Sequence, residues 1–320
     1  MILGTSAFVV LMIGLVSLPG HKAGSASANT RFAPGAQVTI PSLAPVRVVP
    51  RSFFGISTEY WTLPLFERNP RLLERVLSLL HVPGNGPMVM RIGGDSADHA
   101  RWDPRGSWMA PWVFRITRSW LAATAGLVRA EHLHVILDMN LVTGSARSAA
   151  QWARAAERSF PRGSIIAFEI GNEPDIYDRS LWVALLARAH DGLLPSDITP
   201  RIYRSDFSTY GRLLSRVAPR IPLAGPALAN PQMNLRWIIR LLADPPAGLR
   251  LITAHRYPYS ACAARGWSGY PTIARVLSQR ATTGVVDSIR PALLRAHRAG
   301  FPFRLTELNS VTCGGLRGVS

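Results

Sequence analysis

Two glutamates sit where a carboxyl group is costly unless it is used. One lies in the run Phe168-Glu169-Ile170-Gly171-Asn172-Glu173-Pro174-Asp175, the other in Leu305-Thr306-Glu307-Leu308-Asn309-Ser310. Each closes a short apolar run of the kind that forms a buried strand, and an acid ionised there without partners is strongly disfavoured. Glu173 and Glu307 are therefore candidates for paired carboxyl chemistry. Two such groups about 5 Å apart can cleave a glycosidic bond by double displacement, one as nucleophile and one as acid and then base. Either glutamate alone would read equally well as a salt-bridged rim residue in this Arg-rich chain. Asn172, directly before Glu173, strengthens the functional reading.

Those carboxyl groups need a frame, and the hydrophobic pattern supplies one. Apolar β-branched or aromatic runs predict strands at Phe53–Ser57, Met88–Ile92, His134–Met139, Ile165–Ile170, Ile221–Ala224, Leu251–Ala254 and Phe303–Thr306. Three- and four-residue spacing predicts helices at Arg71–Leu80, Ser119–Arg129, Ser148–Arg158, Leu181–Ala189, Asp206–Val217, Leu235–Leu242 and Asp287–Ala299. This alternation is α/β and matches a (β/α)8 TIM-type barrel. No Gly-rich phosphate turn follows the first strand, which argues against a dinucleotide fold. In a barrel the chemistry lies at the C-terminal strand ends, where strands four and seven face each other across the mouth.

Other residues at those ends follow. Glu59 and Asp95 are candidate acceptors for hydroxyl groups, with Asp98 a weaker one. Arg91 is placed to hold the Glu307 carboxylate ionised, or else to make a structural ion pair. Gly93 and Gly94 would let the backbone approach a ligand or simply form a turn. His255 and Tyr257 end strand six, and either could bond Glu307, with a satisfied core histidine the alternative for His255. Asp138 and Asn140 could line the cleft or cap the next helix. Trp61, Trp102 and Trp267 are candidate stacking platforms, though a Trp is more often packing. His132 and His134 share a His-x-His spacing at the wrong barrel face and lack a nearby carboxylate, so no metal site is expected.

The chain has 320 residues, 48% hydrophobic and 17% charged, which excludes a disordered or disulfide-scaffold protein. Its net charge of +17 raises nucleic acid as a partner. Lys22 is the sole lysine, and the arginines are scattered along helices without a basic block or recognition motif. No nucleic-acid partner is expected. Cell-surface polyanion binding is a further reading, marked by affinity with steep salt dependence and no turnover.

Ala7–Leu18 is an apolar run followed by Ala26-Ser27-Ala28, so residues 1–28 read as a signal peptide, with an uncleaved anchor the alternative. The product is expected to be secreted, with no membrane association after cleavage. Residues 29–50 form an extended lead-in, and 51–320 the barrel. Cys262 and Cys313 follow strands six and seven in neighbouring loops, so a disulfide is expected between them.

The blocks Phe53-Phe54-Gly55-Ile56-Ser57-Thr58-Glu59-Tyr60, Arg91-Ile92-Gly93-Gly94-Asp95-Ser96-Ala97-Asp98, Gly171-Asn172-Glu173-Pro174-Asp175, His255-Arg256-Tyr257-Pro258 and Thr306-Glu307-Leu308-Asn309-Ser310 resemble glycoside hydrolase family 79, the β-glucuronidase and heparanase-like enzymes. The resemblance runs from about Phe53 to the C-terminus. It implies Glu173 as acid/base, Glu307 as nucleophile and Asn172 as donor to the sugar 2-hydroxyl, with Glu59, Asp95, Arg91, His255, Tyr257 and Asn309 around the substrate. It implies a retaining enzyme acting on β-glucuronides or related uronic-acid glycosides, monomeric and without cofactor. The family also carries a C-terminal β-sandwich, to which residues 37–50 resemble a donated strand. Ser320 precedes that sandwich and any eighth strand, so the expectation is a truncated barrel, either weakly active or a catalytically inactive exported remnant with residual carbohydrate binding.

Overall fold

The computed structural model describes residues 49–179 and 198–320. The expected signal segment 1–28, the lead-in up to residue 48 and the helix expected at Leu181–Ala189 lie outside the described residues. Seven parallel strands pair in sequence order: β1 (Gly55–Glu59), β2 (Val89–Gly93), β3 (His134–Met139), β4 (Ile165–Ile170), β5 (Leu223–Leu228), β6 (Leu249–Arg256) and β7 (Phe303–Leu308). Between successive strands lie α1 (Pro70–Leu80), α2 (Arg118–Ala130), α3 (Ala146–Ser159), α4 (Pro200–Val217), α5 (Leu235–Ala243) and α6 (Thr283–Arg298).

Covered by helices on one face and filled by side chains on the other, β2 and β5 are buried along their whole length. The sheet curls into a nearly closed TIM-type barrel. Arg304, near the start of β7, donates through Nη2 to Ser52 O at 2.7 Å, in the chain entering β1. Among the described residues β1 and β7 are not paired with each other.

Local chemistry sets the element ends. Thr117 Oγ1 accepts from Trp120 N at the start of α2, and Ser145 and Ser148 make a reciprocal capping box on α3. Helix α4 begins at Pro200 rather than Asp206, because Thr199 caps it and proline suits the first helical position. Strand β1 begins two residues later than expected. Phe53 and Phe54 remain exposed, and pairing starts at Gly55, where a Cβ would lie 2.2 Å from Val89 O. The shift makes Glu59 the last residue of β1. Strand β5 runs past Ala224 through Pro226, a residue that normally argues against a central strand, and the register with β6 shifts there.

Trp102 is not a free platform. It packs at a tilt against Trp152, ring centroids 5.8 Å apart, in an aromatic cluster with Trp120 and Tyr60. Trp61 and Trp267 remain exposed.

Candidate active site

The interior of the barrel beneath the mouth is organised by one cation. Arg91, in β2 and 2% exposed, donates through Nε to Glu169 Oε2 at 2.7 Å. Its Nη2 reaches Asp138 Oδ2 at 2.9 Å and Asn172 Oδ1 at 3.0 Å, and its Nη1 is hydrogen-bonded to Glu307 Oε1. A guanidinium has five donors in a rigid fork, so four acceptors from β3, β4, the turn after β4 and β7 are fixed relative to one another. Burial alone would favour losing its proton, but Glu169, Glu307 and Asp138 outweigh that and hold Arg91 firmly charged.

Gly93 makes this packing possible, since a Cβ there would lie 2.8 Å from Arg91 Cζ and 2.6 Å from Asp138 Cβ. Gly94, at φ +71°, turns the chain so that a Cβ would lie 2.2 Å from Glu59 Oε1. The two glycines thus make room for the protein's own side chains. Glu59 accepts from Ser96 N at 2.8 Å and Asp95 N at 3.2 Å, so its carboxylate anchors the loop after β2.

Above this floor stand two carboxyl groups that keep 18% and 15% of their side chains exposed, Glu173 and Glu307. Glu307 has both oxygens engaged, Oε1 by Arg91 and Oε2 by the Tyr257 hydroxyl at 2.7 Å. His255, fully buried in β6, places Nδ1 2.9 Å from Glu173 Oε1 and 3.8 Å from Glu307 Oε2. Among the two residues considered for bonding Glu307, Tyr257 does so directly and His255 sits chiefly against Glu173. Glu173 itself has φ +48°, and its N–H donates to Ala227 O at 3.1 Å. Non-glycine residues adopt that conformation only where their surroundings impose it.

The environments of the pair differ in sign. Burial pushes the Glu173 carboxyl up, opposed in part by the contact with His255. Burial also pushes Glu307 up, but the charges of His255 and Arg91 and the bonds from Tyr257 and Arg91 outweigh it and bring Glu307 below its ordinary value. The two environments thus favour the protonated form at Glu173 and the ionised form at Glu307.

Asn172 is oriented by Arg91 at Oδ1, and its Nδ2 lies 3.3 Å from Asp95 Oδ1. Asp138 belongs to the buried cluster, and Asn140 instead accepts from Thr143 N and Gly144 N, which shapes the loop before α3. Asp98 is buried against the Tyr177 hydroxyl at 3.1 Å and does not face a ligand. Asn309, two residues after Glu307, is exposed and accepts from Ser310 N through Oδ1. Cys262 and Cys313 are joined by a disulfide, Cα to Cα 5.9 Å.

Two residues that shape the site escape sequence reasoning. Glu169 accepts from Arg91 and, at 3.0 Å, from Thr306 Oγ1, the residue before Glu307. Asp175 accepts from Ala229 N, Asn230 N and Asn234 Nδ2, which fixes the loop after β5 beside Glu173. The available signal for Glu169 was an acid inside an otherwise apolar strand, which must have a partner.

Glu173, His255 and Glu307 offer three ligand atoms within 4.8 Å of one another, a spacing that could hold a metal ion. The donor set fits a cation poorly, because Glu307 already faces a buried guanidinium and His255 Nδ1 faces Glu173. His134 opens β3 and His132 precedes it, so neither is among these ligands.

No family model matches this chain, and no curated protein does. Solved structures match its fold. A 4-O-α-L-rhamnosyl-β-D-glucuronidase from Fusarium oxysporum 12S superposes with TM-score 0.62 at 19% identity, over 86% of this chain and 59% of that one. A family 51 α-L-arabinofuranosidase from Bifidobacterium longum gives 0.56 at 16%, over 84% and 57%. A GH39 enzyme from Xanthomonas axonopodis pv. citri gives 0.52 at 14%, over 82% and 52%. The chain therefore spans a little over half the length of these structures, and what it shares with them is the TIM-type barrel.

Proposed function

We propose that this chain carries the catalytic centre of a retaining glycoside hydrolase acting on a β-glucuronide or related uronic-acid glycoside. The observation that carries this reading is the approach of Glu173 and Glu307 at the mouth of the barrel, where one carboxylate oxygen of each lies within 4.8 Å of the other. Retaining enzymes hold their two carboxyl groups about 5–5.5 Å apart, whereas inverting enzymes leave room for a water at about 6.5–9.5 Å.

In the first step Glu307 attacks the anomeric carbon and forms an ester bond as the glycosidic C–O bond breaks, while Glu173 gives its proton to the departing oxygen. In the second, Glu173 takes a proton from water, whose oxygen displaces Glu307 from the anomeric carbon. Arg91 and Tyr257 fix the two oxygens of Glu307, and Asn172, oriented by Arg91, offers its amide N–H to a sugar hydroxyl. What supports a uronide as substrate is the resemblance of the sequence blocks to family 79, together with the activity named for the Fusarium neighbour.

A 2-deoxy-2-fluoro-β-glucuronide with an activated leaving group tests the reading, because it accumulates the ester intermediate. A labelled peptide containing Glu307 is the expected result. Label on a different peptide overturns the assignment, and neither labelling nor turnover of nitrophenyl β-glucuronide favours a non-catalytic sugar-binding barrel.

A further inference from the structure

The groove between α2 and α3 differs in charge from an ordinary solvated helix surface. Helix α2 carries Arg118 and Arg129 and no acid, and α3 carries Arg147, Arg154 and Arg158 with Glu157 as its sole acid. Glu157 faces Arg220, at 3.9 Å, and does not line the groove. Solvated helix faces ordinarily intersperse acids with bases at three- and four-residue spacing. Here Arg118, Ala122, Ala125 and Arg129 form one face of α2, opposite Gln151, Arg154, Ala155 and Arg158 on α3.

The alanines lie between the arginines in a groove of about 990 Å³, which the loop carrying Arg105 also lines. Among the described lining residues Asp103 is the single acid, and it is already paired with Arg115 at 2.6 Å. Arg118 is steadied by Pro104 O at 3.1 Å. Arg105, Arg129, Arg154 and Arg158 are exposed and make no side-chain hydrogen bond or ion pair with the described residues. Along α2 the arginines span about 16 Å at 1.5 Å per residue.

We propose that this groove is a second, non-catalytic binding site for an acidic polysaccharide. Unpaired guanidinium groups in a row match an extended chain bearing one anionic group per repeating unit, and Gln151, Ser107 and Ser159 add hydrogen-bonding capacity for hydroxyl groups. The concavity disfavours a flat anionic bilayer. Among the described lining residues the one aromatic ring is Trp102, which packs against Trp152 and offers no row of platforms for successive nucleobases. A cleft between neighbouring helices also admits a single extended chain rather than a duplex.

The test is binding of fluorescently labelled polygalacturonate oligomers to a Glu307→Gln protein, so that the outcome does not depend on turnover. Replacing Arg129, Arg154 and Arg158 together by serine should raise Kd at least about tenfold at low salt, and should lower the steepness of its salt dependence. Replacing Arg216, Arg236 and Arg240, exposed on α4 and α5, removes the same charge elsewhere and should change Kd less than about twofold. Equal losses in the two triple variants would show attraction by net charge alone and overturn the site. An unchanged Kd in the groove variant, or tighter binding of single-stranded DNA of matched charge, would overturn it too. Failure of the glycosidase reading would appear separately, as absence of labelling at Glu307.

Discussion

The Tyr257 hydroxyl donates to Glu307 Oε2 at 2.7 Å, from the residue just beyond β6 to the penultimate residue of β7. Burial and the neighbouring carboxylate push the Tyr257 phenol far above its ordinary value, so it remains a donor throughout the working pH range. A bond to the charged form of an acid lowers that acid's pKa. Tyr257→Phe should therefore shift the acidic limb of kcat/KM to higher pH, since the proposed mechanism requires ionised Glu307. The loss in kcat/KM should be about 10- to 100-fold, the range for a hydrogen bond to a charged group. A pH profile with an unmoved acidic limb would show that Tyr257 plays no part in tuning the nucleophile.

The two carboxyl groups predict different fates for their amides. Glu307→Gln should abolish turnover of every substrate, because the amide cannot form the ester intermediate. Glu173→Gln should spare substrates whose leaving group needs no proton and lose the others, and azide should restore part of the rate of Glu173→Ala. The wild-type pH profile should fall on the basic side as Glu173 loses its proton, at a pH above the ordinary carboxyl range because burial raises that group. The basic limb should vanish in Glu173→Gln with an activated leaving group. Its persistence there would assign that ionisation to another residue.

The disulfide predicts a stability change with little effect on the chemistry. Cys262 and Cys313 lie 51 residues apart in sequence and tie the segment after Tyr257 to the segment after Glu307, where Tyr259–Ser260 pairs with Val311–Thr312. Replacing both by serine should cost about 4 kcal/mol in denaturant unfolding by the chain-entropy relation for a loop of that length. Two titratable thiols per chain under denaturing, non-reducing conditions would show that the bridge is not formed.

Glu173, Glu307 and Arg91 were legible in the sequence because each is an ionisable group in or at the end of an apolar run, and burial makes such residues conspicuous. What joins them was not. Partner choice for His255 and Tyr257 depends on how far each projects from β6, which the sequence does not carry. The part taken by Glu59 needs the turn at Gly94, and the boundary of β1 needs the backbone contact between Gly55 and Val89. The bond between Glu169 and Thr306 crosses the barrel between strands that are not neighbours in the sheet, so local sequence carries no trace of it.

That bond gives the last prediction. Glu169 is fully buried in β4 and holds Arg91 with one oxygen and Thr306 with the other. It therefore acts on Glu307 twice, through the guanidinium that binds its carboxylate and through the residue that precedes it in the chain. In Glu169→Gln the shape is kept, but the charge opposite a buried guanidinium is lost, and breaking such a pair costs about 3–5 kcal/mol. Part of that cost falls on stability and part on the placement of Arg91. Glu169 is closed off from solvent, so KM should change little while kcat falls, and the acidic limb should move because Arg91 binds Glu307 in an altered position. Glu169→Asp keeps the charge but is too short to reach both partners, and should recover the stability more than the rate. A Glu169→Gln protein that is less stable yet shows unchanged kcat and an unchanged pH profile would reduce Glu169 to a structural ion-pair partner.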